Sequence, residues 1–111
     1  MKAAALALLL LAGTAQGEVI ECPVAHQGAR LIGAGMHQGE QKEAELMGER
    51  KRVRGGIEAK YGFNRGDVKW VACWYAPATP RWYPVSPTAT RCELKERETT
   101  PGRMTAVVRC K

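Results

Sequence analysis

The side chains with which this chain could do chemistry are few. It carries four cysteines, two histidines and one serine. Cys22, Cys73, Cys92 and Cys110 include no C-x-x-C pair, so neither a dithiol redox motif nor a zinc ribbon is present. An even cysteine count in a short chain points instead to two structural disulfides. His26 and His37 sit in glycine-flanked polar stretches and read as surface or loop histidines. Neither has a second histidine four residues on, and a zinc site needs three or four convergent ligands. Ser86 lies between Val85 and Pro87, without the G-x-S-x-G setting of a nucleophile elbow. The acid pairs Glu43/Glu45 and Glu96/Glu98 are interleaved with Lys and Arg, as on a solvated face, and no apolar pocket is evident to raise one pKa for glycosidase work. Gly33-x-Gly35 and Gly55-Gly56 lack the lysine and helix of a phosphate loop. No catalytic residue, metal ligand or cofactor is expected, and the chain reads as a non-enzyme.

Two features rise above this background. Trp70, Trp74, Tyr75, Trp82 and Tyr83 concentrate most of the aromatic side chains in one short stretch. If Val68–Tyr75 is a strand, Val71, Cys73 and Tyr75 face one way while Val68, Trp70, Ala72 and Trp74 face the other. Cys73 must point toward its bridge, so Trp70 and Trp74 occupy the opposite face. There they are either covered by a second layer or form, with Trp82, an exposed platform for sugar rings or a partner. The second feature is basic: Arg50, Lys51, Arg52 and Arg54, followed by Lys60 and Arg65. Arg52, Arg54 and Lys60 share the polar face of one expected strand. That stripe is either a charged, aggregation-resistant edge or an anion-binding surface.

The elements that must hold these residues are strands. Period-two alternation runs through Val53–Tyr61, through Arg91–Lys95 and through Arg103–Lys111, and in the last two the cysteines share phase with the apolar set. Leu31–His37 is an earlier strand weakened by Gly33 and Gly35, and Glu18–Cys22 a short one ended by Pro23. Asn64-Arg65-Gly66-Asp67 and Thr100-Pro101-Gly102 read as antiparallel hairpin connections. The stretch Glu40–Arg52 is rich in helix formers but has a thin apolar stripe, which supports a helical turn or a charged loop. Ala76–Thr90 carries Pro77, Pro80, Pro84 and Pro87, too many missing donors for a central strand. The expected architecture is all-β: a small antiparallel sheet or sandwich of five to seven short strands with two disulfides.

The proline-rich segment also suggests the disulfide pairing. A full strand between those of Cys73 and Cys92 would set the cysteines about 9–10 Å apart, beyond the ~7 Å a bridge tolerates. An irregular excursion lets the two strands meet, which favours Cys73–Cys92 and, between the termini, Cys22–Cys110. A hairpin near Thr100 that sets Cys92 opposite Val108 leaves Cys110 as a poorly placed diagonal neighbour.

Compartment follows from the N-terminus. Lys2, the apolar run Ala3–Ala12 and the small residues before Glu18 have the form of a secretory signal peptide over residues 1–17, followed by a single domain over 18–111. The apolar run is half the length that spans a bilayer, so no membrane-spanning segment is expected. The formal charge is +6 and falls to +5 when Lys2 leaves with the leader. A basic protein exported to the periplasm or beyond favours anionic envelope components, and export removes nucleic acid as a target.

Glu21-Cys22-Pro23, Trp70-Val71-Ala72-Cys73-Trp74-Tyr75, Cys92 and the terminal Val108-Arg109-Cys110-Lys111 together form a pattern. It resembles a family of small exported proteobacterial proteins of unassigned function, with an early Cys-Pro, a W-x-x-C-x-Y strand and two later cysteines. The resemblance implies export and a disulfide-bonded β domain, and brings no catalytic residues with it. The chain departs from the pattern in the basic run Arg50–Arg54. The expected function is that of a non-enzymatic envelope protein binding an anionic or glycan ligand, or a partner protein, through Trp70, Trp74 and Trp82, with Arg52, Arg54 and Lys60 as candidate anion contacts. The alternative is a secreted enzyme inhibitor of the lysozyme-inhibitor type, against which charge counts, since a lysozyme is itself basic.

Overall fold

A computed structural model describes residues 17–111. The expected leader lies outside the described residues, apart from Gly17. Two antiparallel sheets account for the fold, and the described residues form no helix. The first sheet runs, in spatial order, β1 (Glu18–Glu21), β10 (Arg103–Cys110), β9 (Arg91–Thr100), β6 (Gly56–Gly62) and β5 (Glu49–Val53). The second runs β2 (Ala25–His26), β3 (Ala29–Gln38), β7 (Lys69–Tyr75) and β8 (Thr79–Val85), with β4 (Ala44–Leu46) pairing to β3 beyond β2. The chain passes back and forth between the sheets, laying down strands mostly as adjacent pairs.

The all-β, two-disulfide architecture is as expected, with ten strands where five to seven were expected. Several differences have local causes. Val53–Tyr61 is not one strand: Arg54-Gly55 is a two-residue turn, Gly55 takes a φ of 75°, and Val53 pairs with Gly56. A glycine adopts that left-handed backbone without the steric cost of a Cβ. Glu40–Arg52 holds no helical turn but the strands β4 and β5. Pairing with β3 and β6 overrides helix propensity there. Between them Gly48, at φ 63°, carries the chain to the other sheet, and a Cβ on it would lie 2.7 Å from the Lys60 carbonyl. Asn64–Asp67 is likewise no hairpin, since it joins β6 of one sheet to β7 of the other. Thr100-Pro101-Gly102 does close the β9–β10 hairpin.

Both expected disulfides are corrected. The bridges are Cys22–Cys73 and Cys92–Cys110. Because the chain changes sheets at Asn64–Asp67, the strands of Cys73 and Cys92 never become neighbours; Ala76–Thr90 instead returns as β8 along the outer side of β7. The β9–β10 hairpin turns at Pro101-Gly102, with Thr100 opposite Arg103, rather than at Thr100 itself; with the one-residue register shift between Arg103 and Met104, Cys92 stands opposite Cys110 and not Val108. Arg91 and Lys111 exchange both backbone hydrogen bonds. Their neighbours are therefore a non-hydrogen-bonded pair, the closer of the two antiparallel spacings, and the Cα atoms of Cys92 and Cys110 lie 4.1 Å apart.

The inner faces of the sheets share one core. Leu31, Met36, Val71, Cys73 and Tyr75 of the second sheet meet Ala59, Tyr61, Leu94, Ala106 and Val108 of the first. Cys22–Cys73 crosses this core from one sheet to the other. Three polar groups share the inward phase. The buried Glu96 carboxylate accepts the Ala34 N–H at 2.9 Å and so ties β9 to β3. Lys69, 1% exposed, donates from Nζ to the carbonyls of Asp67 and Pro87 at the crossings between sheets. Tyr75 donates its hydroxyl to the Pro23 carbonyl at 2.7 Å.

Burial raises the pKa of both Tyr61 and Tyr75 above the usual tyrosine value of 10.0. The native state therefore keeps protons that the unfolded chain releases near 10, and this contribution to stability, complete below pH 10, is lost as pH rises through the native values. Burial lowers the pKa of Lys69 below 10.5, with the opposite sign: the cost of holding a desolvated ammonium is relieved as pH climbs toward 10.5. The denaturation midpoint is expected to fall above pH 10, and to fall less in Tyr61→Phe and in Tyr75→Phe. Ultraviolet titration at the tyrosinate band checks it; phenols that ionise at 10 with no loss of structure would contradict the assignment.

Candidate functional site: a tryptophan face on the second sheet

Every second residue of β7 turns away from the core. Lys69, Val71, Cys73 and Tyr75 are inward and fully buried, so Trp70, Ala72 and Trp74 are outward. The pairing register sets their neighbours. His37 of β3 and Pro84 of β8 flank Trp70, Gly35 and Trp82 flank Ala72, and Pro80 lies beside Trp74. The first sheet covers only the opposite face. Trp70, Trp74 and Trp82 thus share one face of the sheet, and each is half-buried.

The rings interlock edge to face. Trp74 and Trp82 have centroids 6.2 Å apart at 68°, and His37 meets Trp82 at 4.9 Å and 88°. Such tilted pairs set the positive edge of one ring on the negative face of the next. His37, at the end of the strand expected over Leu31–His37, lies in β3, but where a surface or loop histidine was expected it is 9% exposed beneath this cluster. Its Nδ1 lies 2.9 Å from the Lys42 carbonyl, which can only accept, so Nδ1 carries the hydrogen. Nε2 faces Glu45 Oε2 at 4.0 Å. His26 belongs to the short strand β2 and packs against Tyr75 at 5.4 Å.

A short loop overhangs one side of the face. Trp70 donates its indole N–H to the Gly39 carbonyl at 2.9 Å, and the Lys42 amide closes a turn on the same carbonyl at 3.1 Å. Lys42 has a left-handed backbone, φ 61°. Its ammonium comes to rest 4.2 Å from the Trp70 ring centroid and 5.7 Å from that of Trp82. Across Ala72 from Trp82, a Cβ on Gly35 would meet nothing within 4 Å.

The basic candidates are not gathered here. Arg52, Arg54 and Lys60 all belong to the first sheet or its turns, and they do not form one stripe. Arg52 pairs with Ile57 and so shares the inward phase, Arg54 is in the turn, and Lys60 is outward. The hairpin at Arg54-Gly55 reverses the phase that a single strand would have kept. On the outward face of the first sheet, charges alternate in sign across the strands. Glu49, Lys60, Glu93 and Arg109 form one row, and Lys51, Glu58 and Lys95 the next. Opposite charges facing across a sheet are mutually stabilising, and Lys60 has a carboxylate on each side. The Arg97 guanidinium bonds Glu58 at 2.6 Å and holds that carboxyl below its usual range.

The grouping of His37, Lys42 and Glu45 beside the tryptophans escaped the sequence reading. A bulge between Leu31 and Gly33 upsets the phase of β3, so counting along the strand misplaces His37. Nothing in the sequence marks the side chain of Lys42. Lys69 escaped that reading as well, although it shares phase with Val71 and Cys73. Among the described residues there is no cluster of three or more potential metal-ligating side chains, and no helix long and apolar enough to cross a membrane. Two disulfides are consistent with an oxidising, extracytoplasmic location. No protein-family model matches the chain, and neither a curated protein nor a solved structure matches it significantly.

Proposed function

We propose that this chain is an exported, non-enzymatic β domain of the periplasm or secretome that binds a ligand or partner through the Trp70/Trp74/Trp82 face. One observation carries the reading: all three tryptophans of the chain converge, half-exposed, on the one face of the second sheet that the first sheet leaves uncovered. Aromatic rings at a partly wet surface offer a large apolar area at little conformational cost, as binding surfaces use them. The two disulfides, the leader-like N-terminus and the likeness to small exported proteobacterial proteins support export. Anion binding by Arg52, Arg54 and Lys60 has less support, because they point in different directions and Lys60 stands between Glu49 and Glu93.

Tryptophan emission during titration with soluble peptidoglycan fragments, lipopolysaccharide and phospholipid vesicles tests the reading. At least one is expected to shift the emission saturably, and Trp82→Ala, on an edge strand, to weaken that response at least about tenfold with the fold intact by circular dichroism. Indoles shielded from acrylamide quenching, with no response to any of these, would overturn it.

A further inference from the structure

We infer that the rings of Trp70 and Trp82, which share the Lys42 ammonium, form a site for a quaternary ammonium group, of the trimethylammonium kind, in which Lys42 is the protein's own displaceable occupant. The inference rests on the tryptophan face being a binding surface and names what it binds. The Lys42 ammonium lies 4.2 Å from the centroid of Trp70 and 5.7 Å from that of Trp82, within the range of cation–π attraction to both. The arrangement is built rather than casual. The indole N–H of Trp70 holds the Gly39 carbonyl, the Nδ1–H of His37 holds the carbonyl of Lys42 itself, and the left-handed backbone at Lys42 aims its side chain back over the ring that anchors the loop.

Two further observations fix the ligand class. Among the described residues the Lys42 ammonium has no carboxylate within ion-pair distance and no hydrogen-bond acceptor, so its three N–H groups depend on water. A quaternary ammonium has no N–H to satisfy, keeps its charge and presents methyl groups to the rings, so it suits this place better than the lysine does. The local charge agrees. In a basic protein, the segment from Gly39 to Glu45 carries Glu40, Glu43 and Glu45 against Lys42 alone. Those carboxylates lend a negative field to the rim without entering the site. A sugar would also stack on an indole, but nothing in its chemistry matches a position where the chain has placed a cation.

Calorimetry and tryptophan emission with tetramethylammonium chloride and phosphocholine, at constant ionic strength, test the site, with 3,3-dimethylbutan-1-ol as the uncharged isostere. Both cations are expected to bind saturably and the isostere at least about tenfold more weakly. Lys42→Ala, a change in a loop, is expected to tighten tetramethylammonium several-fold by vacating the site, and Trp82→Ala to abolish binding. Equal binding of the isostere, or weaker binding in Lys42→Ala, would overturn the inference. A saturable response to a glycan without one to either cation would overturn the ammonium assignment and leave the face as a binding surface; silence to every probe would overturn both. Phosphatidylcholine vesicles that displace phosphocholine would place the group on a lipid, and vesicles that do not would place it on a soluble molecule; either result supports the site.

Discussion

Replacing Cys22 and Cys73 together by alanine is expected to cost about 4 kcal/mol of folding stability, most of what a domain of this size has. The bridge closes a separation of 51 residues, and the loop-closure entropy it removes from the unfolded chain grows with that length. It also joins the segment just after β1 in one sheet to the middle of β7 in the other. The loss is thus felt by the packing of the two layers. Cys92–Cys110 closes only 18 residues, worth about 3 kcal/mol in the same treatment. It staples a hairpin whose register the turn at Thr100–Arg103 already sets, so its removal is expected to be the milder change. Urea unfolding of both double-alanine variants, with peptide mapping of the non-reduced protein, checks the order. A larger loss from Cys92/Cys110, or a fragment joining Cys73 to Cys92, would contradict it.

Tyr75→Ala is expected to be comparably severe, at about 4 kcal/mol, while Tyr75→Phe costs about 1 kcal/mol. Tyr75 is 1% exposed and the largest fully buried side chain, so alanine leaves a cavity that strands pinned on both sides of β7 cannot collapse to fill. Phenylalanine keeps the ring and loses only the hydrogen bond to the Pro23 carbonyl. Pro23 adjoins Cys22, so Tyr75 and the Cys22–Cys73 bridge fasten the same short segment to β7 from positions two residues apart. Their effects are expected to be non-additive, and a double-mutant cycle in denaturant measures the coupling. Equal losses from the alanine and phenylalanine variants would show that the hydroxyl, not the packing, carries the effect.

How far the sequence disclosed this molecule depended on whether a signal was local. Alternation within Arg91–Lys95 and Arg103–Cys110 is local, and it placed Cys92, Leu94, Val108 and Cys110 in the core correctly. The outward side of β7, and with it the grouping of Trp70 and Trp74, followed from the same period. Misreadings arose where one residue decides the phase. A Gly-Gly dipeptide, itself a turn signal, lay inside an alternation that seemed continuous, and passing over it put Arg52 and Lys60 on one face when they are on two. The position of the turn at Pro101-Gly102, together with the one-residue shift beside Arg103, decided that Cys92 faces Cys110. Which sheet a strand joins is not local at all. The turn at Asn64–Asp67 reads identically whether the next strand pairs with the last or crosses the core, and the disulfide connectivity rests on that difference. The same holds for Lys42, whose position over Trp70 depends on how the loop folds back.

Pro80 and Pro84, which border the tryptophan face, have a consequence at the margin of the sheet. They are in register with Trp74 and Trp70 and have no N–H to give, so Arg81 and Tyr83 supply the ladder donors to β7. The backbones of Pro80, Trp82 and Pro84 therefore turn toward the free side of β8. Of those three residues only Trp82 has an amide hydrogen. A strand approaching that margin would find its carbonyls almost unanswered, and copies of the protein could not extend the sheet into a fibre there. The residues that frame the aromatic face thus also keep it from being consumed by self-assembly, which is the standing hazard of a small sheet protein at high concentration.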